Sequence, residues 1–175
     1  MALRLPRVLI FDADGTLRWT TVPGQPSPKT PAEWRLLPRV RERLSALDWG
    51  ARGHRLGIAS NQDGVPLGDL SRDMARRLLR DTVEAALGFV PEDAAIEMCV
   101  CDPSERCPCR KPAPGMLRSI LRRFRASPTE ALFVGDLEID REAARRAGIA
   151  FEWAHAFFAE GLHSSEGNSV RPKSR

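Results

Sequence analysis

The sequence lacks any apolar run long enough to cross a membrane. In its 175 residues, no stretch approaches the roughly 20 apolar residues of a transmembrane helix, so we expect no membrane partner. The apolar run Val8–Phe11 is too short for a signal peptide and leads directly into acidic residues, which favours a cytoplasmic location. With 42% apolar and 29% charged residues, the composition is that of one globular domain with a sizeable core.

Cysteine is absent everywhere except in one segment of eleven residues. Cys99, Cys101, Cys107 and Cys109 form two Cys-x-Cys pairs, and the other 164 positions contain none. A secreted scaffold would distribute its cysteines to join distant loops, and neighbouring Cys-x-Cys residues close only a small strained ring as a disulfide. Four thiolates can instead surround one Zn²⁺, which predicts a structural zinc site in residues 99–109 rather than free thiols.

Lysine is scarce as well, since it occurs only at positions 29, 111 and 173. The net charge of +4 therefore comes mainly from arginine, and the arginines are scattered along the chain. Scattered arginine is more typical of ion-paired helix surfaces than of a nucleic-acid-binding stripe. The same charge would suit a small anionic substrate, so composition alone leaves both kinds of partner open.

Short apolar runs alternate with segments of helical spacing along the chain. Strands are predicted at 7–11, 55–60, 95–100, 131–134 and 149–153, and helices at 39–48, 71–87, 114–124 and 138–147. This alternation predicts an α/β fold, with one Rossmann-like domain over residues 1–163 that has a five-stranded parallel sheet and helices on both faces. The proline-rich segment 18–38 is predicted as an irregular insert, and residues 164–175 as a flexible tail.

Acidic residues follow two of the predicted strands at the point where each strand ends. Asp12 and Asp14 are two apart on an extended segment, so both carboxylates point to one side, and Asp136 follows another strand. Because the carboxyl ends of parallel strands meet at one edge of a sheet, these acids should converge there. Mg²⁺ favours such oxygen ligands, whereas the alternative is a set of loop acids that cap turns or helices.

Candidate phosphate-binding groups lie at two further places. Ser60 and Asn61 follow the second strand and offer hydroxyl and N–H donors that suit a phosphate oxygen, although Ser-Asn is also an ordinary turn. Lys111 stands between Arg110 and Pro112, just before a predicted helix. Its compact positive charge is useful where charge builds up on a transferring phosphoryl group, and the alternative is a solvated basic pair.

The order of these motifs resembles that of the haloacid dehalogenase (HAD) superfamily. The matching motifs are Asp12-x-Asp14-Gly15-Thr16, Ser60-Asn61-Gln62, Lys111-Pro112 and Gly135-Asp136-x-x-x-Asp140. Within the superfamily, the cysteine loop and the residues after it resemble the zinc-loop phosphatases of heptose bisphosphates and histidinol phosphate. That subgroup commonly has Cys-x-His in the first half of the loop, where this chain has Cys101. The inserts between the motifs are too small for a separate cap domain.

The resemblance implies a role for each matching residue. Asp12 would attack phosphorus and form an aspartyl-phosphate, and Asp14 would protonate the leaving oxygen and later activate water. The Mg²⁺ ligands would be Asp12, the backbone carbonyl of Asp14, and Asp136, with Asp140 supporting them. The residues implied to bind phosphate or substrate are Thr16, Ser60, Asn61, Arg110 and Lys111.

The expected substrate is a small phosphorylated metabolite. A sugar (bis)phosphate such as D-glycero-D-manno-heptose 1,7-bisphosphate, or histidinol phosphate, is the first hypothesis. Residues 31–38, which include Trp34, resemble part of the phosphatase domain of polynucleotide kinase/phosphatases, so a polynucleotide 3′-phosphatase is the second. A non-catalytic phosphate-binding protein is the third, and the presence of every catalytic carboxylate argues against it. The sequence does not predict the oligomeric state.

Overall fold

The computed structural model describes residues 5–159 of the chain. The flexible tail predicted at 164–175 and the domain boundary predicted at 163 lie outside these residues and stay predictions. Between residues 5 and 159, no helix combines the length and apolar character that crossing a membrane requires.

A five-stranded parallel sheet forms the centre of the molecule. From one edge to the other, its strands are β5 (Ala95–Cys99), β4 (Arg55–Asn61), β1 (Val8–Phe11), β6 (Ala131–Gly135) and β7 (Ala150–Trp153). Strand β1 pairs on one side with β4 and on the other with β6. The predicted parallel sheet is confirmed, and the ends of its three inner strands are brought side by side.

Helices cover both faces of the sheet, as predicted. One face carries α1 (Val40–Ser45), α2 (Arg72–Leu87) and α5 (Ala154–Ala159), and the other carries α3 (Gly115–Phe124) and α4 (Glu138–Ala147). Successive residues of a strand point to opposite faces, so Phe11 packs into the first core and Ile10 into the second. Helix α1 is shorter than the predicted helix at 39–48. Helix α5 was not predicted, because it begins directly after β7 with no turn residue between them.

Helix α2 begins at the predicted cap. The Ser71 hydroxyl accepts a hydrogen bond from the Met74 backbone N–H at 3.1 Å, which satisfies one of the otherwise unpaired N–H groups of the first turn. Gly88 closes the helix in a left-handed conformation with φ of 87°. The helix is therefore bounded at both ends by residues that suit those positions.

The prediction that segment 18–38 is irregular throughout was wrong. An antiparallel hairpin of β2 (Arg18–Thr20) and β3 (Trp34–Leu36) forms within it, and a short 3₁₀ helix, Pro31–Glu33, precedes β3. Strands of three residues are too short to produce an alternating pattern, and the prolines between them obscured the signal. Those prolines lie outside the ladder, where a missing N–H group breaks no strand-pairing hydrogen bond.

Candidate active site

Two catalytic candidates come from the ends of neighbouring strands. The Asp12 N–H donates to the Val134 carbonyl at 3.0 Å, which extends the pairing of β1 and β6 by one residue. The chain then turns through Gly15, whose φ is 85°. The Thr16 hydroxyl donates to Asp136 Oδ1 at 3.1 Å, so the turn after β1 is fastened to the end of β6. Thr16 thus orients Asp136, and its predicted contact with phosphate stays a prediction.

Lys111 lies buried between two carboxylates. Its Nζ atom is 2.6 Å from Asp12 Oδ1 and 2.7 Å from Asp140 Oδ1. The other oxygen of Asp140 accepts hydrogen bonds from the backbone N–H groups of Asp136 at 3.3 Å and Leu137 at 3.0 Å. Asp140 therefore connects the beginning of α4 to the lysine. Its predicted role as a supporting acid stays a prediction.

The electrostatics of this cluster are dominated by burial. Burial raises the pKa of Asp12, with Lys111 opposing the rise, and burial also raises the pKa of Asp136. Burial acts against the charge of Lys111, but Asp12 and Asp140 outweigh it and raise the pKa of Lys111. With all three carboxylates ionised, the single ammonium group of Lys111 would leave an excess of two negative charges, and burial makes such an excess unfavourable.

That charge excess and the oxygen positions fit a divalent cation. Asp12, Asp136 and Asp140 each offer a carboxylate oxygen within 4.8 Å of the other two. An octahedral Mg²⁺ ion with bonds of about 2.1 Å spaces its ligand oxygens at roughly 3 to 4 Å. The predicted ligands Asp12 and Asp136 are therefore brought together, and Asp140 lies beside them.

The carboxylate of Asp14 is not part of that cluster. Its Oδ1 atom accepts a hydrogen bond from Arg18 Nε at 2.8 Å. Its Oδ2 atom accepts longer ones, from Arg18 Nη2 at 3.4 Å and Gln62 Nε2 at 3.3 Å. The expectation that the Asp14 carboxylate converges with those of Asp12 and Asp136 was therefore wrong, and its predicted role as proton donor stays a prediction. The predicted use of its backbone carbonyl as a ligand stays a prediction.

Arg18 is a functional candidate that the sequence reasoning missed. It is fully buried and also donates to the Leu78 carbonyl at 2.9 Å and the Thr82 hydroxyl at 3.0 Å. These partners lie some sixty residues further along the chain, so no local pattern could reveal them. Among 27 basic residues that are mostly arginine, nothing in the sequence distinguished this one.

The end of β4 supplies the predicted polar groups. The Ser60 hydroxyl is buried and accepts a hydrogen bond from Gln62 Nε2 at 2.9 Å. The Asn61 side chain makes a reciprocal pair with the Lys111 backbone, with Nδ2 donating to the carbonyl at 3.2 Å and Oδ1 accepting from the N–H at 3.0 Å. Asn61 therefore holds the segment that carries Lys111, and its predicted contact with phosphate stays a prediction.

Arg110 lies next to Lys111 at the rim of the site. Its Nη1 atom is 2.5 Å from Asp63 Oδ1, and this hydrogen bond raises the pKa of the guanidinium further. Asp63 belongs to the loop after β4, so the pair joins that loop to the segment that follows the cysteines. The predicted role of Arg110 in substrate binding stays a prediction.

The four cysteines meet in one cluster whose geometry fits a tetrahedral metal. Their Sγ atoms all lie within 4.8 Å of one another, and none forms a disulfide. The Cys99–Cys107 and Cys101–Cys109 separations are 3.7 and 3.8 Å. Four Zn–S bonds of about 2.3 Å in a tetrahedron place sulfurs about 3.8 Å apart. The Cys107–Cys109 separation of 2.9 Å is shorter than this spacing.

Comparison with protein-family models gives one match over most of the chain. Residues 7–164 match the family described as polynucleotide kinase 3 phosphatase. The matched region includes every candidate site residue described above.

Comparison with individual proteins identifies phosphatases as relatives. The chain is 34% identical over 150 residues to the D-glycero-beta-D-manno-heptose-1,7-bisphosphate 7-phosphatase of Bordetella bronchiseptica, which covers 82% of this chain and 78% of that protein. It is 34% identical over 147 residues to the enzyme of the same name from Pseudomonas putida, which covers 81% of this chain and 78% of that protein.

Solved structures show the same architecture. The D,D-heptose 1,7-bisphosphate phosphatase of B. bronchiseptica, complexed with magnesium and phosphate, superposes with a TM-score of 0.67 and 31% identity, over 89% of this chain and 87% of that one. A HAD-superfamily hydrolase from Ehrlichia chaffeensis superposes with a TM-score of 0.56 and 16% identity, over 87% and 88%, which concerns the fold alone.

Proposed function

The chain belongs to the polynucleotide kinase 3 phosphatase family, with the HAD-like fold that its motifs predicted, and we propose that it is a Mg²⁺-dependent phosphomonoester hydrolase. One observation carries the proposal. Asp12, Asp136 and Asp140 come together around one site, with Lys111 from another segment beside Asp12 and Asp140. With all three carboxylates ionised, this cluster is short of two positive charges. One divalent cation would balance that charge, and a phosphomonoester bound beside it would bring phosphorus within reach of Asp12.

Asp12 is the nucleophile in this proposal. One of its oxygens attacks phosphorus, and the bond from phosphorus to the leaving oxygen breaks, which leaves an aspartyl-phosphate. Bound Mg²⁺ would neutralise charge on the phosphoryl oxygens and on Asp12. Lys111, which is held 2.6 Å from Asp12, is placed to meet the charge that develops on a phosphoryl oxygen.

Asp14 moves the protons. It gives a proton to the leaving oxygen in the first step and takes one from the attacking water in the second, when the bond between phosphorus and Asp12 breaks. The Ser60 hydroxyl and the backbone after β4 face the same edge of the sheet and would donate to the phosphoryl group. Asn61 and Asp140 act through Lys111, because both hold it in place.

The cysteine cluster has a structural part in this proposal. Zinc bound by four thiolates would fix the loop that ends at Cys109, two residues before Lys111. The loop would then present the lysine in one position. Thiolate ligands persist in a reducing compartment, which supports a cytoplasmic location.

The favoured substrate is a sugar bisphosphate of the heptose 1,7-bisphosphate type. Two relatives at 34% identity carry that substrate in their names, and the chain covers 78% of each. Arg110 adds a second positive charge next to Lys111, and we assign to it the second phosphate of a bisphosphate. Histidinol phosphate is an alternative of the same class, because its single phosphate would need the same cluster.

A polynucleotide 3′-phosphatase is the second candidate, and one surface favours it. Trp19 is 49% exposed on β2 and pairs in register with the exposed Arg35 of β3. An aromatic ring beside a guanidinium is a suitable platform for a nucleobase. The description of the matching family points in the same direction.

A substrate panel with Mg²⁺ distinguishes these candidates. We expect the highest kcat/KM on a sugar bisphosphate, with activity that is abolished in Asp12→Asn and only modestly sensitive to salt. A higher kcat/KM on a 3′-phosphorylated oligonucleotide, with a steep loss as salt rises, would assign the polynucleotide function instead. The absence of Mg²⁺-dependent hydrolysis with every substrate would reject the proposal.

A further inference from the structure

Arg18 is a fully buried charged side chain near the site. It has 0% exposed surface, and its guanidinium makes hydrogen bonds to Asp14, to the Leu78 carbonyl and to the Thr82 hydroxyl. Thr82 itself donates to the same Leu78 carbonyl at 2.7 Å, so both anchors belong to one turn of α2. The guanidinium carbon lies 5.9 Å from the centre of the Trp34 ring, which covers it from β3.

We propose that Arg18 is a positioning residue that fixes the orientation of Asp14 for proton transfer. The inference rests on the proposed function, because it takes Asp14 as the proton donor and acceptor. Arg18 does not touch the reacting atoms, since its remaining contacts are with α2 and the hairpin. Its action is therefore exerted through Asp14.

The geometry distinguishes the two oxygens of Asp14. Oδ1 is held by Arg18 Nε at 2.8 Å, a strong charge-assisted distance. Oδ2 receives only long contacts, 3.4 Å from Arg18 and 3.3 Å from Gln62. Oδ2 is thus the oxygen that is free to carry the proton. The proton leaves Oδ2 for the substrate oxygen as the P–O bond breaks, and a water proton returns to Oδ2 when water attacks phosphorus.

Stability alone does not account for this arrangement. A buried ion pair costs several kcal/mol of desolvation per ion, and apolar residues of similar volume often stabilise a protein as well or better. Methionine would fill part of the space of Arg18, and α2 already buries apolar residues such as Leu79 and Val83. What an apolar residue could not provide is a fixed direction for the Asp14 carboxylate.

The test compares two phosphate esters that differ in their need for a proton. The leaving group of an alkyl phosphate must be protonated, whereas p-nitrophenolate leaves without a proton. For each ester, kcat/KM covers the steps through transfer of the phosphoryl group to Asp12. The ratio of the two kcat/KM values therefore measures how much that transfer depends on the proton donor. We expect Arg18→Met to lower kcat/KM about 100-fold for the alkyl ester and only a few-fold for p-nitrophenyl phosphate. Arg18→Lys should recover part of the loss, because it retains the positive charge and can still donate a hydrogen bond to Asp14.

Arg55→Met is the matched control. Arg55 pairs with Asp93 at 2.5 Å and lies over the Phe124 ring, at the opposite end of β4 from Ser60. Its loss should lower thermal stability without changing the ratio for the two esters. If Arg18→Met does not fold, Arg18→Lys and Thr82→Val are measured instead, and the alkyl ester should again suffer the greater loss in both.

The outcomes separate the inference from the proposed function. A greater loss on the alkyl ester supports the positioning role. An equal loss on both esters, or no loss, overturns it and leaves Arg18 as a structural residue. If the wild type hydrolyses neither ester, or if Asp12→Asn is as active as the wild type, the proposed function itself has failed.

Discussion

Asp136 stands so close to Gly15 that a methyl group on Gly15 would lie 2.2 Å from Asp136 Oδ2. The turn after β1 therefore has no room for a side chain, and its φ of 85° already disfavours one. We predict that Gly15→Ala displaces Asp136 and lowers kcat and Mg²⁺ affinity together. A shift of about 1 Å in a catalytic group can lower the rate by about 100-fold. Steady-state kinetics over a range of Mg²⁺ concentrations measures both effects.

Gly88→Ala is the control for this prediction. Gly88 has nearly the same φ, 87°, but no atom lies within 4 Å of the position of its missing methyl group. Both variants carry the backbone penalty of about 1 kcal/mol, so both should lose similar stability. Equal kinetics in the two variants would mean that the contact with Asp136 is irrelevant to catalysis.

The pairing of Asn61 with the Lys111 backbone predicts an indirect kinetic effect. Asn61→Ala removes both hydrogen bonds, so the segment that carries Lys111 loses its attachment to β4. At about 1 kcal/mol for each bond, we expect kcat/KM to fall roughly 10- to 100-fold. The control is Ser119→Ala, which removes a hydrogen bond between α3 and Glu97 of β5. This variant should leave kcat/KM unchanged. Wild-type kinetics for Asn61→Ala would contradict the role assigned to Asn61.

The buried pair of Asp140 and Lys111 predicts a loss of stability. In Asp140→Asn, an amide faces the lysine in place of a carboxylate, and the buried ammonium retains Asp12 alone. Because Lys111 keeps its pair with Asp12, loss of the charged contact with Asp140 should cost about 1–3 kcal/mol of unfolding free energy. Glu138→Gln, which disturbs an exposed pair with Arg141 on the same helix, should cost less than about 1 kcal/mol. Denaturant unfolding of both variants checks the difference, and equal costs would show that burial of the pair is unimportant.

The cysteine cluster predicts stoichiometric zinc in the purified protein. Removal of the metal, or Cys107→Ser, should lower the melting temperature and reduce activity, because the loop leads directly to Lys111. Ser104→Ala removes the hydrogen bond from the Ser104 hydroxyl to Asp102 within the same loop and should retain the metal. Metal analysis and thermal unfolding measure these effects. Protein without zinc that is fully stable would contradict the predicted site.

The sheet and the main acidic residues could be predicted because their signals are local. The apolar run of β1 ends directly at Asp12, and the run of β6 ends one residue before Asp136. Parallel pairing then brings the two ends together without further information. The cysteine cluster was equally local, since its residues fall within one short segment.

The features that were missed depend on contacts between distant segments. The hairpin consists of two three-residue strands separated by a proline-rich loop, so it has almost no periodic signal. In the sequence, nothing distinguishes Arg18 from the other arginines, because its partners Leu78 and Thr82 lie on α2. The attachment of Asn61 to Lys111 spans fifty residues and uses backbone atoms, which no side-chain pattern reveals.

The central claim is that Asp12 accepts the phosphoryl group, and a trapping experiment tests it most directly. The wild-type protein is mixed with Mg²⁺ and a labelled substrate, quenched in acid within one turnover, digested and analysed by mass spectrometry. We predict a phosphoryl group on the peptide at Asp12, and none in Asp12→Asn. Rapid turnover with the label in free phosphate and never on Asp12 would show that water attacks the substrate directly, which would contradict a nucleophilic role for Asp12.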